Sequence, residues 1–326
     1  MKWRAFIVGL AGAAALSPQA YAQQSSKVWL IGFLGPAPAF ASVPRVEALR
    51  TGLRELGYVE GKNAVIEFRW ADGAAQMREL AAELVRLNAD VIFATSSTEV
   101  EAARQVTRTI PIVFATHADP VGVGHVASLP RPGGNATGLS VVQTDLTTKA
   151  LEVLREAVPH AARIGILFSS AAPSSGPTLQ AAESAAARLK LMLQPIPLQG
   201  VADFEEALEQ LARGGADAVF VAASSLTVRS APALLAELAL KQRLPTMFGS
   251  RDNVAAGGLM SYAPDQHELT RRAAIYIDKI LRGAKPSEIP VEQASTYQLV
   301  INLRTATALG LTIPPSLLAR ADEVIE

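Results

Sequence analysis

Apolar residues along the chain follow two alternating patterns. Short apolar, β-branched runs end in turn-forming clusters. Longer segments between them carry apolar residues three and four positions apart, as at Leu80, Leu84 and Leu87. Runs that are apolar throughout are typical of strands buried on both faces, which form parallel sheets covered by helices on both sides. The pattern predicts an α/β protein with doubly wound parallel sheets.

This alternation occurs twice, which predicts two similar lobes. The predicted strands are 28–33, 64–68, 91–94, 110–115 and 137–142 in the first half, and 164–168, 191–195, 218–222 and 245–248 in the second. The predicted helices are 44–56, 75–87 and 98–107, then 177–189, 201–212 and 231–242. A strand that begins at Asp90 and ends in small hydroxyl residues resembles a later one that begins at Asp217. This internal similarity favours duplication of one unit.

The last part of the chain predicts a strand at 257–262, a helix at 264–282 and a strand at 297–302. If each lobe already has its sheet, these elements cross between the lobes. We expect three crossover segments, at 137–142, 257–262 and 297–302. The predicted first lobe is 23–142 plus 263–292, and the second is 143–262 plus 293–326. Three crossings would restrict motion to opening and closing.

The first 22 residues have the pattern of a secretory signal peptide. Lys2 and Arg4 precede an apolar stretch at 5–16, and Ala20-Tyr21-Ala22 forms a small-x-small cleavage site. A stretch this short does not span a bilayer, which needs about 20 residues. We therefore expect cleavage after Ala22 and a periplasmic protein; an uncleaved anchor is the alternative.

Composition excludes several classes of function. Thirty basic and thirty acidic residues give a net charge of zero, so the chain has no electrostatic footprint for nucleic acid. The absence of cysteine excludes disulfides, a thiolate nucleophile and a lipid anchor on cysteine. An exported chain cannot count on ATP or NAD, and the histidines show no metal-ligand spacing. We therefore expect no cofactor and no metal.

Small polar residues follow the predicted strands, where open parallel sheets bind ligands. The candidate ligand-binding residues at these positions are Gly35, Pro36, Thr95, Ser96, Ser97, Thr116, His117, Asp119, Ser169, Ser170, Ser224, Ser225, Arg251 and Asp252. Ser97 or Thr98 could cap the following helix and leave N–H groups for a ligand carboxylate. Asp119 or Asp252 could hold an ammonium group. The alternative is that these residues are only helix caps.

Enzyme motifs are absent: there is no G-x-S-x-G elbow, P-loop, H-E-x-x-H or C-x-x-C in the sequence. A serine, histidine and aspartate triad of Ser96, His117 and Asp119 is possible on paper, but any serine-rich cleft allows one. Of the four histidines, only His117 is placed to contact a ligand, while His160 and His267 are expected on the solvated surface. The sequence favours binding over catalysis.

Five segments carry a family resemblance. They are 47–63, 110–114 with 119–122, 131–138, 257–262 and 306–314, and in this order they resemble the tryptophan/tyrosine-type substrate-binding proteins of ABC transporters. The resemblance covers almost all of the chain after the signal. It implies a type I periplasmic-binding-protein fold, and its site positions would be 35–36, 95–97, 116–119 and the strand ends of the second lobe.

The resemblance also implies a function. The chain would be an exported, monomeric receptor that closes on a small amino-acid-like or carboxylate ligand and delivers it to an ABC permease, with energy from a separate ATPase subunit. Two alternatives stay open: an exported α/β serine hydrolase, and a periplasmic sensor that presents its ligand to a membrane kinase.

Overall fold

The computed structural model describes residues 27–36, 39–141, 143–222 and 231–326. Its first elements are β1 (Trp29–Pro36), α1 (Val43–Glu55), β2 (Ala64–Ala71), α2 (Ala74–Arg86), β3 (Val91–Ser96), α3 (Ser97–Val106), β4 (Ile112–His117) and β5 (Ala136–Ser140). The next are α4 (Gln143–Ala157), β6 (Arg163–Ser169), α5 (Ser175–Leu189), β7 (Met192–Leu198), α6 (Phe204–Arg213), β8 (Ala218–Val221), α7 (Pro232–Lys241), β9 (Thr246–Phe248), α8 (Arg251–Ala255) and β10 (Met260–Ala263). The last are α9 (Gln266–Leu281), β11 (Glu292–Gln293), β12 (Gln298–Asn302), α10 (Leu303–Leu309), α11 (Pro315–Leu318) and β13 (Glu323–Ile325).

The strands form two sheets, one in each lobe. The first has the order β11-β5-β4-β3-β1-β2 and the second β13-β12-β10-β9-β8-β6-β7. Strand pairs are parallel, except that β12 runs antiparallel to β10. The predicted doubly wound α/β architecture is therefore confirmed, with one antiparallel pair that the apolar pattern did not indicate.

Both faces of each sheet are covered by helices. In the first lobe Ile31 and Phe33 pack toward α1 and α9, whereas Leu34 packs toward α2 and α3. In the second lobe Ile166 faces α4 and α5, and Leu167 faces α6 and α7. This two-sided burial is the reason that the central strands are apolar throughout.

The chain changes lobes three times within its described part. It leaves the first sheet after β5, returns after β10 when α9 packs against α1 and β4, and leaves again between β11 and β12. Tyr262 packs against the cores of both lobes and stacks on Tyr297, with ring centroids 6.0 Å apart. The crossings therefore have an aromatic contact between them.

Among the described helices, none is long and apolar enough to cross a membrane. The predicted signal peptide lies outside the described residues.

Candidate functional site

A cavity of about 180 Å³ lies between the two lobes. The first lobe lines it with residues 118–121 after β4, with Ser140 and Val141 at the end of β5, and with Gln293. The second lobe contributes Ser174, Pro177 and Thr178 at the start of α5. The cavity is thus at the carboxyl ends of β4 and β5, where the rule for open parallel sheets expects a ligand.

The polar groups of this cavity are mostly hydrogen-bond acceptors. Asp119 accepts the N–H of Gly122 on Oδ1 at 2.8 Å, which leaves capacity on its carboxylate. The Ser140 hydroxyl donates to the carbonyl of His117 at 3.0 Å, and the Thr178 hydroxyl donates to the carbonyl of Ser174 at 2.8 Å. Both hydroxyls keep lone pairs. The set suits an ammonium or another donor-rich group.

Ser174 is the exception in this set. Its side chain is 1% exposed, and its hydroxyl has no hydrogen-bond partner among the described residues. A buried hydroxyl without a partner costs free energy. The Ser174 hydroxyl is therefore a donor available to a ligand in the cavity that it lines.

The start of α3 differs from its prediction. The helix begins at Ser97, and neither Ser97 nor Thr98 caps it with a side-chain hydrogen bond. Instead, Thr95 donates its hydroxyl to the Glu99 carboxylate at 2.8 Å and Ser96 donates to the other oxygen of the same group. Glu99 is fully buried. The Glu99 carboxyl group therefore occupies the helix start at which a ligand carboxylate was expected.

Glu99 was missed in the sequence reasoning, although a signal was present. Ser96 and Glu99 have the serine-x-x-glutamate spacing that marks a helix start. Here the carboxylate accepts from the hydroxyls of the strand end. Thr116 strengthens the same edge, because its hydroxyl donates to the carbonyl of Thr95 at 2.6 Å.

His117 was predicted to contact a ligand, but it does not line the cavity. Its ring is fully buried inside the first lobe: Nδ1 lies 3.2 Å from the Ser97 hydroxyl and accepts the N–H of Asp119 at 3.2 Å, while Nε2 lies 2.7 Å from Nδ1 of His125. Burial lowers the pKa of His117 well below its usual value. His117 and His125 are thus in direct contact, which their spacing in the sequence did not indicate.

The triad of Ser96, His117 and Asp119 is not assembled. The Ser96 hydroxyl donates a hydrogen bond to Glu99. The Asp119 group that contacts the imidazole is the backbone N–H, not the carboxylate. The hydroxyl beside the His117 imidazole is that of Ser97, so the predicted geometry of the triad is not present.

Gly35 and Pro36 end β1 beside aromatic side chains. Trp70 stacks on Phe68 with centroids 5.6 Å apart, and a Cβ at Gly35 would lie 3.1 Å from the Trp70 ring. Ser169 is buried, and its carbonyl accepts the hydroxyl of Ser175; Ser170 is exposed. Ser224 and Ser225 lie outside the described residues.

Arg251 and Asp252 belong to a different group from Asp119. Arg251 forms a bidentate ion pair with Glu323 of β13, with Nε 2.6 Å from Oε2 and Nη2 2.5 Å from Oε1. Asp252 lies 3.4 Å from Nε2 of His267, so His267 is partly buried at a lobe crossing rather than on the solvated surface. Burial raises the pKa of Asp252, but His267 and nearby arginines outweigh it and keep the pKa below its usual value.

Two residues near this group escaped the sequence reasoning. Arg45, buried at the start of α1, donates to Oε1 of Gln266 at 2.5 Å, and Nε2 of Gln266 donates to the carbonyl of Gly249 at 2.9 Å. Gln266 thus joins the first lobe to the second at a crossing. No local pattern marks this side chain.

Two doubly wound lobes with three crossings and a cavity between them define a two-lobed ligand-binding protein. The family model of ABC transporter substrate binding proteins matches residues 41–325, and the chain belongs to this family. A tyrosine-binding protein from Clostridioides difficile (strain R20291) is 26% identical over 260 residues, which cover 79% of this chain and 74% of that protein.

Solved structures show the same fold, that of type I periplasmic binding proteins. A conserved domain protein from Vibrio cholerae O1 biovar El Tor strain N16961 has a TM-score of 0.86 at 28% identity, over 91% of this chain and all of that one. An ABC domain in complex with L-Trp from Streptococcus pneumonia has a TM-score of 0.83 at 25% identity, over 92% of this chain and all of that one.

Proposed function

We propose that this protein is the exported receptor of an ABC importer, that it closes on a small amino-acid-like or carboxylate ligand, and that it delivers this ligand to a permease. Family membership supports a substrate-binding role. The observation that carries the ligand class is the cavity between the lobes, which is lined by the Asp119 carboxylate and the Ser140 hydroxyl of the first lobe and by the Thr178 hydroxyl at the start of α5. The ligand ammonium group binds Asp119 in this proposal.

Two relatives support an aromatic amino acid within this class: one is a tyrosine-binding protein and the other was solved with L-Trp. Trp70 and Phe68 bring an aromatic surface to the carboxyl ends of β1 and β2. Neither ring lines the cavity that contains Asp119, so the preference for an aromatic amino acid rests on the two relatives. L-Tyrosine and L-tryptophan are therefore the first probes.

A thermal-shift panel with L-tyrosine, L-tryptophan, aliphatic amino acids, aromatic carboxylates and sugars tests the ligand class. A ligand at a hundred times its Kd stabilises the native state by about 2.7 kcal/mol, enough for a shift of a few degrees. We expect a shift with at least one amino acid or carboxylate and none with sugars. A response to sugars alone would contradict the ligand class and leave the family assignment intact.

Asp119→Asn tests the ammonium contact. The amide oxygen can still accept the Gly122 N–H, so the turn is kept while the charge is removed. A charge-assisted hydrogen bond contributes about 1.5 to 3 kcal/mol, so affinity for the amino acid should fall about 10- to 100-fold. Asp252→Asn is the control, because Asp252 pairs with His267 away from this cavity. Equal affinities in Asp119→Asn and the wild type would contradict the contact.

Export is the other part of the proposal. The basic start, the apolar stretch and the small-x-small site in the first 22 residues support it. Protein recovered from the periplasmic fraction should begin at Gln23, and intact mass with N-terminal sequencing measures this. A product that keeps Met1 in the membrane fraction would contradict the periplasmic receptor.

A further inference from the structure

A chain of hydrogen bonds runs through the first lobe from the ligand cavity to the surface. It starts at the backbone N–H of Asp119, passes through the rings of His117 and His125, and ends at Glu101 on α3. Nε2 of His125 lies 2.6 Å from Oε2 of Glu101. The two rings are 0% and 4% exposed, and Glu101 reaches solvent at the far end. The proposed ligand contact and a solvent-facing carboxylate are thus joined by two imidazoles.

When both rings are neutral, the partners of the chain assign each proton to one nitrogen. A carboxylate only accepts, so His125 must carry its proton on Nε2 and present a lone pair at Nδ1. His117 must then donate from Nε2, at 2.7 Å, and accept at Nδ1. Nδ1 of His117 indeed meets two donors, the Asp119 N–H and the Ser97 hydroxyl. The Ser97 oxygen in turn accepts the N–H of Ala118 at 3.1 Å.

Two neutral rings satisfy every contact of the chain, and an added proton has to displace one of these donors. A proton on Nδ1 of His125 would point at the N–H of His117, and one on Nδ1 of His117 would point at the N–H of Asp119. The first event breaks the hydrogen bond that fixes the His117 ring, and the second breaks the hydrogen bond from this ring to the Asp119 N–H. Residues 118–119 line the cavity between the lobes.

We infer that His117 and His125 are positioning residues for the ligand site, which hold the Asp119 segment in place while both are neutral and release it, with loss of ligand affinity, when the pair is protonated. This inference rests on the proposed function, since it assigns the site's ligand contact to Asp119. It predicts that the receptor binds its ligand at neutral pH and has a lower affinity at acidic pH.

The charged groups around the pair favour the neutral form. On α3, Arg104 donates to the carbonyl of Gly124 at 2.6 Å, and its charge acts against protonation of both rings. The charge of Arg108, one turn further along, lowers the pKa of Arg104. Glu101 raises the pKa of His125, and the Phe114 ring packs edge-on against His117. Burial lowers the pKa of both histidines, and for His125 the attraction of Glu101 offsets only part of the effect.

The first test measures affinity against pH. Binding of L-tyrosine and L-tryptophan is followed by calorimetry between about pH 7.5 and pH 4.5, a range extended to the acid side because burial lowers the pKa of both rings below the ordinary histidine value. We expect wild-type affinity to fall about tenfold or more, since a tenfold loss corresponds to about 1.4 kcal/mol. His125→Gln removes one titrating ring and keeps an amide that can accept from His117 and donate to Glu101, so its affinity should vary much less. His160→Gln, at an exposed histidine, should keep the wild-type profile.

The second test needs no ligand. The amide resonance of Asp119 in an NMR pH titration should move with protonation of the imidazoles in the wild type, and this movement should be reduced or displaced in His125→Gln. Constant wild-type affinity across this pH range, or the same profile in His125→Gln, would overturn the inference. If neither amino acid binds at neutral pH, the proposed ligand class fails. The Asp119 titration alone then decides whether the histidine pair positions this segment. An Asp119 amide resonance that does not move with protonation of the imidazoles would overturn the inference.

Discussion

Asp119 and Glu99 are acidic residues near the carboxyl ends of neighbouring strands, yet the fold treats them differently. Glu99 is fully buried and accepts hydrogen bonds from the hydroxyls of Thr95 and Ser96, so its carboxyl group is engaged within the lobe. Asp119 makes one hydrogen bond to its own turn and lines the cavity. Only the second arrangement leaves a carboxylate with capacity for a ligand. Residue type and position along a strand therefore do not distinguish a ligand contact from an internal one.

The buried histidine pair gives a prediction for stability. Because the native state keeps His117 and His125 neutral, it binds fewer protons than the unfolded chain once the pH falls below about 6.5, the ordinary histidine pKa. The free energy of unfolding should therefore be constant above that pH. Below it, the free energy should fall by up to about 1.4 kcal/mol per pH unit for each ring.

Urea unfolding at about pH 7.5, 6.5 and 5.5 measures this fall, in a range where most carboxylates stay ionised. His125→Gln should lose part of the dependence, because one of the two rings no longer titrates. His160→Gln is the matched control with an unchanged dependence, since His160 is exposed. Wild-type protein that is equally stable at the highest and lowest of these pH values would rule the prediction out.

Helix α9 is the element that ties the last third of the chain to the first lobe. It packs against α1 and supplies Ala273, Ala274 and Ile277 to the core beneath β1 and β3. The closest approach is at Gly52 of α1, where an added Cβ would come within 2.2 Å of the carbonyl oxygen of Arg271. The absence of a side chain at this position allows the two helices to meet.

Gly52→Ala should therefore destabilise the protein. The added methyl also meets the Cβ of Ala274 at 2.9 Å, so the helices must separate. Overpacking of this kind costs about 1 to 3 kcal/mol, and the better helix propensity of alanine returns at most about 1 kcal/mol. Gly176→Ala on α5 is the control, because nothing lies within 4 Å of its added Cβ. Thermal and urea unfolding compare the two, and a Gly52→Ala protein as stable as the wild type would show that this contact can relax freely.

The success of sequence reasoning at this scale follows burial. Central strands such as β3 are covered on both faces, so their apolar runs were placed within a few residues. Edge strand β7 continues to Leu198, three residues beyond its predicted end at 195. It contains Pro195 and Pro197, which an edge strand tolerates where a central strand does not.

Side-chain direction at the site could not be predicted. The pairing of β4 with β5 shifts register between Phe114 and His117, just before the strand end. Such an irregularity re-aims the side chains that follow it. The ring of His117 consequently lies inside the lobe, while Asp119 reaches the cavity. Which strand ends carry polar groups was readable from the sequence, but which of those groups face a ligand depends on contacts between distant segments.

At the scale of the molecule, the described residues bring the lobes together both at the cavity and at the crossings, with different chemistry. The cavity lies between the loop after β4 and the start of α5, and it is bounded by groups from both lobes. The crossings are held by the stacked rings of Tyr262 and Tyr297 and by the two hydrogen bonds of Gln266. A ligand that contacts both walls of the cavity favours the arrangement in which the walls are close, because a ligand shifts an equilibrium by its differential affinity for the two states. We expect closure about the crossings to be the motion that links the two states.

Solution scattering should therefore show a smaller radius of gyration when a bound amino acid is present at saturation. Gln266→Ala should increase the ligand-free radius and weaken binding modestly, because it removes the bridge from Arg45 to the carbonyl of Gly249, two hydrogen bonds of about 0.5 to 1.5 kcal/mol each. Gln199→Ala, at an exposed position after β7, is the control that should match the wild type in both measurements. Scattering curves that coincide with and without saturating ligand would count against a closing receptor. An unchanged radius in Gln266→Ala would instead show that the stacked tyrosines alone set the resting angle between the lobes.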